Sequence, residues 1–172
     1  MKHTISVLVE HSPGVLARIV GLLTGRGFNI DSIAVGNAED TNLTRLTMTV
    51  HGNDDVLEQV TKQLNKIVDV IKVTDFTELS IVSRELALIK IHVLPEQRAE
   101  VTQIASVFRG NVVDISPRSL TLEVTGPEDK INACIEMVKP FGIKEIARTG
   151  TIALKREMQS ENLKVKFKKD AV

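Results

Sequence analysis

His11-Ser12-Pro13-Gly14-Val15-Leu16, answered one short helix later by Gly27-Phe28-Asn29-Ile30, is the stretch on which the fold turns. The residues before it alternate apolar and polar around Ile5, Val7 and Val9, the period of a half-buried strand. The run then opens a helix. Ser12 is placed to cap it and Pro13 to take its first position, where a missing N–H costs nothing. Val15, Leu16, Ile19, Val20, Leu22 and Leu23 form a wide apolar stripe, and Gly25 and Gly27 end it. A helix N-terminus presents free N–H groups and a partial positive charge, so it holds a small carboxylate without a Lys or Arg. Gly14 lets a ligand approach the backbone, Val15 and Leu16 add N–H groups behind it, and the Asn29 amide can both donate and accept. Leu16 and Ile30 would suit an aliphatic side chain. Taken alone, the pattern fits a plain capped helix, with Asn29 in a turn, more readily than a ligand site.

Outward from that stretch the order is βαββαβ. Phe28, Ile30, Ile33 and Val35 make a second strand whose alternation slips between 30 and 33, the mark of a bulge. Leu46, Met48 and Val50 mark a third strand, Asn53 caps a helix carrying Val56, Leu57, Val60 and Leu64, and a fourth strand runs within Ile67 to Phe76. The order then repeats. Leu86 to Leu94 is a nearly continuous apolar run, expected to be a central strand buried on both faces. A helix from about Glu96 to Phe108, paired strands at Val112–Ile115 and Leu120–Val124, a helix opened by Pro127, and a last strand within Ile143–Leu154 follow. Leu46-Thr47-Met48-Thr49-Val50-His51-Gly52 aligns with Leu120-Thr121-Leu122-Glu123-Val124-Thr125-Gly126, and Leu57, Val60 and Leu64 fall on Ile131, Cys134 and Val138. The second copy opens its first helix with Pro95-Glu96-Gln97-Arg98, which has no glycine and an acid in the first turn, so it is expected to lack the anion pocket. Domain boundaries are therefore set at 1–78 and 79–157, with a charged tail at 158–172.

The composition excludes several functions. Lys plus Arg equals Asp plus Glu at 22 each, with no Trp or Tyr and five Phe, which argues against a nucleic-acid surface. The single Cys134 rules out a disulfide framework and a paired-cysteine metal site, and reads as a small core residue. His3, His11, His51 and His92 stand on separate elements without ligand spacing, so no metal site is expected. No apolar run is long enough to span a membrane, and no signal peptide is read at the start, so a cytoplasmic protein is expected. No nucleophile stands in a recognisable catalytic frame, Asp54-Asp55 and Glu39-Asp40 read as cap and turn residues, and no phosphate-loop pattern is present.

The Ser-Pro-Gly-Val-Leu and Gly-Phe-Asn-Ile motifs inside βαββαβ resemble an ACT domain, a small module that binds amino acids at paired interfaces. Leu16 to Leu22, Arg26 to Ile33, Leu57 to Lys66 and Phe108-Arg109-Gly110 more closely resemble the regulatory (small) subunit of acetohydroxyacid synthase, also called acetolactate synthase. The likeness runs from about residue 3 to 155. It implies an α+β chain of two tandem ferredoxin-like βαββαβ units, the first an ACT domain. It also implies a homodimer through the N-terminal units that binds valine or a related branched-chain amino acid, and that activates and feedback-inhibits a catalytic (large) subunit. On this chain the effector site falls on His11, Gly14, Val15, Leu16, Asn29 and Ile30. His11 stands where many members of the family have Asn or Asp, so backbone contacts survive but a side-chain amide contact does not. No cofactor is expected on this chain, while thiamine diphosphate, Mg and FAD are expected on the catalytic partner. The alternative reading is a stand-alone amino-acid sensor serving a different enzyme or a transcription factor.

Overall fold

The computed structural model describes residues 1–157. The charged tail assigned to 158–172 lies outside the described residues. Strands β1 (Lys2–Glu10), β2 (Asn29–Asn37), β3 (Leu43–His51) and β4 (Val70–Asp75) form one antiparallel sheet in the order β2-β3-β1-β4, with helices α1 (Val15–Thr24) and α2 (Asp54–Leu64). The alternation of β1 is realised as Ile5, Val7 and Val9 facing the core. Val15, Ile19 and Leu23 of α1, one turn apart, close over them with Leu57, Val60 and Leu64 of α2. Asn53 caps α2 as expected, its side chain accepting from the Val56 N–H at 3.0 Å.

The second unit repeats the plan with β5 (Ile81–His92), α3 (Arg98–Val107), β6 (Asn111–Ser116), β7 (Ser119–Gly126), α4 (Glu128–Val138) and β8 (Ile143–Arg148), in the sheet order β6-β7-β5-β8. The aligned letters take equivalent places: Leu46, Met48 and Val50 are buried on β3, and Leu120, Leu122 and Val124 on β7. Both units carry a bulge on the strand that pairs with the central hairpin partner, at Asp31 in β2 and at Val113 in β6. The recurrence of core, cap region and bulge in one order supports two copies of one scaffold.

Three expectations are corrected. The apolar run Leu86–Leu94 is central but not buried on both faces. Ala87, Ile89 and Ile91 are fully buried, whereas Leu88 is 39% exposed, because the helices cover only one side of this antiparallel sheet. The last strand is two strands: a turn at Thr149-Gly150 separates β8 from β9 (Ile152–Lys155), which pairs with the N-terminal part of β5. Finally, the helix read from Glu96 begins at Arg98 and is preceded by a single 3-10 turn at Pro95–Gln97.

The units meet through the outer face of the first sheet. Ser6, Thr47 and Thr49 are buried there although they point away from α1 and α2, and β9 packs against β3 on that side. A Cβ built on Gly150 would lie 3.3 Å from the Ser32 Cβ, and Lys2 Nζ reaches Glu128 Oε1 at 2.5 Å. Behind this contact Glu85, only 4% exposed, accepts from Arg148 Nε at 2.5 Å and Nη2 at 2.8 Å.

Ile89→Ala should cost about 2–5 kcal/mol of stability, whereas Leu88→Ala should cost under about 1 kcal/mol. Urea unfolding of both variants reads the difference, and equal costs would restore two-face burial of β5.

Candidate functional site

The turn between β1 and α1 is built on Gly14, whose φ of 82° and ψ of −3° lie in the left-handed region. A Cβ there would meet open space, so the demand for glycine comes from the backbone and not from crowding. The Arg18 N–H donates to the Gly14 carbonyl at 3.0 Å, which makes Gly14 the residue that precedes the first helical turn. The expectation that Ser12 caps the helix and that Pro13 and Gly14 are its first two positions is therefore corrected. Pro13-Gly14 is spent on the turn, and the Ser12 hydroxyl is left two positions too far upstream. It donates instead to Asp69 Oδ1 at 2.9 Å.

With no side chain capping α1, the N–H groups of Leu16 and Ala17 have no acceptor within the helix and are left for a ligand or solvent. The Val15 N–H is partly satisfied by the Ser12 carbonyl at 3.4 Å. The Val15 side chain is buried in the core, so this residue has only backbone to offer. Leu16 is half-exposed at the rim. His11, Gly14, Val15 and Leu16 line a cavity of about 170 Å³, together with Val9, Val35, Thr44 and Leu46. Sites that enclose a small molecule run to roughly 300–1,000 Å³, so this cavity by itself is too small to enclose one.

Two residues that the sequence did not single out hold the turn in place. The Thr44 hydroxyl bonds His11 Nδ1 at 2.8 Å, and the Asn42 carbonyl accepts from the His11 N–H at 2.7 Å. The ring is thus oriented with one nitrogen engaged. Asp69, in the turn before β4, accepts from Ser12 Oγ and from Arg18 Nη2 at 3.0 Å, and its carbonyl accepts from the Glu10 N–H at 2.9 Å. Neither residue carries a pattern in the sequence. Each matters because β1 lies between β3 and β4 and brings both strand ends to one turn.

Asn29 and Ile30 do not join this cavity within one chain. Asn29 pairs with His51 at one end of β2, while Val35, opposite Leu46, lies toward the other end beside His11. Val35 is six residues on from Asn29 along the strand, about 20 Å at the rise of an extended chain. The exposed Asn29 amide donates to Asp31 Oδ1 at 3.1 Å, and Asp31 in turn sits 2.5 Å from His51 Nδ1. Ile30 packs half-buried against the first core and lines a shallow groove with Val20, Thr24 and Phe28. The residues expected to form one site thus fall into two groups toward opposite ends of β2.

The equivalent end of the second unit is closed by its own side chains. Gln97 Oε1 accepts from the Leu94 N–H at 3.1 Å, and Arg98 Nη2 donates to the Ser116 carbonyl at 2.9 Å. Cys134 is buried in the second core, and burial pushes its thiol up from the ordinary value, as suits a packing residue.

Residues 5–72 match the family of AHAS small subunit-like ACT domains, and residues 84–157 match the small subunit of acetolactate synthase. A probable acetolactate synthase small subunit of Archaeoglobus fulgidus is 53% identical over 156 residues, covering 91% of this chain and 98% of that protein. The chain belongs to the acetolactate synthase small-subunit family. The small subunit of Bacillus subtilis is 53% identical over 163 residues, covering 94% of each chain. The crystal structure of the small subunit from Thermotoga maritima superposes with a TM-score of 0.83 at 40% identity, covering 91% of this chain and 98% of that one. The two family matches divide where the two sheets divide, so the open turn at Gly14 belongs to the ACT unit and the closed one to the second unit. Among the described residues no helix is long and apolar enough to cross a membrane.

Asp69→Ala should leave the fold intact and destabilise it by about 1–3 kcal/mol through the lost charged acceptor. Hydrogen exchange should rise selectively across residues 10–18, and unchanged exchange there would remove Asp69 as the anchor of the turn.

Proposed function

We propose that this chain is the regulatory subunit of an acetolactate synthase in branched-chain amino acid biosynthesis. In this reading it activates the catalytic subunit and confers feedback inhibition by valine, which it binds between two copies of the ACT unit. The single observation that carries this is the division of the site across β2. Among the described residues β2 is an edge strand, bonded only to β3, and such an edge is a template for another strand. Antiparallel pairing of β2 with β2 of a second copy about its middle brings the Asn29 end of one against the Val35 end of the other. The incomplete cavity at His11, Gly14 and Leu16 then gains the Asn29 amide and Ile30 from the second copy as its other wall.

The chemistry suits a zwitterionic aliphatic amino acid. The ligand carboxylate would take the free N–H groups of Leu16 and Ala17 at the positive end of α1, and the carbonyl of the Asn29 amide would accept from the ligand ammonium. Val35 and Leu16, 49% and 43% exposed, would meet its side chain. His11, held by Thr44, would keep its remaining ring nitrogen toward the cavity in place of a side-chain amide. A ligand at the seam that binds one dimer arrangement more tightly than another shifts the population, and the catalytic subunit would sense the shift. The reaction itself would rest with that partner, which would carry thiamine diphosphate, Mg and FAD.

Gly14→Asp should abolish valine binding, because a carboxylate would stand where the ligand carboxylate binds. Asn29→Ala should weaken binding by about 1–3 kcal/mol if the buried amide is lost. Calorimetry with valine, paired with sedimentation, separates the two roles. Unchanged affinity of Gly14→Asp would reject the site, and a loss of dimer without loss of intrinsic affinity would make Asn29 an interface residue only. Valine titrated into the reconstituted holoenzyme should depress activity of the wild type and leave Gly14→Asp insensitive.

A further inference from the structure

The bulge in β2 carries a polar cluster that the packing of the core does not require. Ile30 pairs with Val50 and Ser32 with Thr49, so Asp31 is left without a partner on β3. A bulge takes one residue out of the ladder and re-aims its side chain. Here the Asp31 carboxylate is turned to two groups. Its Oδ1 accepts from Asn29 Nδ2 at 3.1 Å, and its Oδ2 lies 2.5 Å from His51 Nδ1. His51 is also the cross-strand partner of Asn29 at the end of β3. Ion pairs as exposed as this one add little to stability. What the cluster fixes is an orientation.

The orientation follows from the chemistry of the groups. A carboxylate only accepts, whereas a side-chain amide donates at one end and accepts at the other. Asp31 therefore takes the nitrogen end of the Asn29 amide and leaves the oxygen end for a ligand. An amide without that anchor can turn over and present its N–H groups in the same place, which suits a ligand with no ammonium at all. We infer that Asp31, braced by His51, is a positioning residue that sets the effector site's preference for an ammonium-bearing ligand. By holding the Asn29 amide it separates an aliphatic amino acid from the aliphatic acid of the same skeleton. This rests on the reading of Asn29 as an effector contact across the edge of β2.

The second unit supports the assignment by contrast. β6 also starts with an asparagine, Asn111, and also bulges two residues later, but the bulged residue is Val113. With no carboxylate there, the Asn111 amide reaches across to Glu123 Oε1 at 3.4 Å. This is the unit whose helix start is closed by Gln97 and Arg98. The bulge thus belongs to the shared scaffold, and the acid on it accompanies the open turn at Gly14.

The test is calorimetry on the full-length chain with two ligands, L-valine and 3-methylbutanoate, which is valine without its α-amino group. The wild type should bind valine more tightly by at least about tenfold. Asp31→Ala should shrink that ratio by about threefold or more, by weakening valine while leaving 3-methylbutanoate unchanged. Asp31→Asn, whose Oδ1 can still accept from Asn29, should keep most of the wild-type ratio. The double variant Asn29→Ala/Asp31→Ala should bind valine no more weakly than Asn29→Ala alone, because Asp31 acts only through that amide. Equal weakening of both ligands by Asp31→Ala, no rescue by Asp31→Asn, or an additive loss in the double variant would overturn the inference and leave Asn29 as a contact. A wild type with no preference for valine would do the same. A wild type that does not bind valine, or an Asn29→Ala variant that binds it unchanged, would instead overturn the effector reading and the inference with it.

Discussion

Two helices can cover only one face of a four-stranded sheet, and what becomes of the other face organises this molecule. In the ACT unit the inner face holds Ile5, Val7, Val9, Leu46, Met48 and Val50, a largely aliphatic core against which Phe28 packs. The outer face carries Ser6, Thr47 and Thr49, small polar residues that are buried there. The Arg45 guanidinium reaches the Ser6 hydroxyl at 3.5 Å, and Ser32 bonds Thr49 across the bulge. This face is buried because β9 of the second unit lies on it. Small polar residues allow that close approach without leaving unpaired groups, which would each cost more than the contact returns.

The same constraint fixes what remains free. With one face under helices and the other under β9, the ACT sheet is left with its edges, and β2 is the edge that carries Asn29 and Val35. The bulge at Asp31 sits on this strand, next to Asn29 at one end and to the Gly150 turn of the second unit on its outer side. A change in how β2 pairs with another strand would therefore be felt at the unit–unit contact, where Lys2 meets Glu128 and Arg148 is held by the buried Glu85. The Glu85 carboxylate, through its hydrogen bonds, holds the Arg148 guanidinium above its ordinary value, so the guanidinium keeps its charge. A buried bidentate pair of this kind sets orientation more than it adds stability.

Much of the fold was legible in the letters. Alternation in β1 and β3, the stripe of α1, the Asn53 cap and the slip at 30–33 each have a local cause that the structure realises. The failures share one cause as well. Leu86–Leu94 read as two-face buried because periodicity cannot tell which neighbours will cover a strand. Ser12 read as a cap because the letters do not say that Gly14 takes a positive φ and moves the helix start by two residues. Thr44 and Asp69 carry no pattern at all, since their importance comes from strands far away in sequence arriving at one turn.

By itself, then, the sequence determined the local elements, the repeat and the chemistry of the turn, because these follow from short-range geometry: the period of burial, the freedom of glycine, the missing N–H of proline. It also marked Gly14 and Asn29 as the residues to watch. Only the tertiary structure decided that Gly14 lies beside the Val35 end of β2 while Asn29 lies at its other end. The reason is topological. β2 runs antiparallel to β3 and α1 crosses back over the sheet, so the start and the end of one helix are delivered to opposite ends of the same sheet. Residues separated by one helix in sequence therefore do not meet within a single chain.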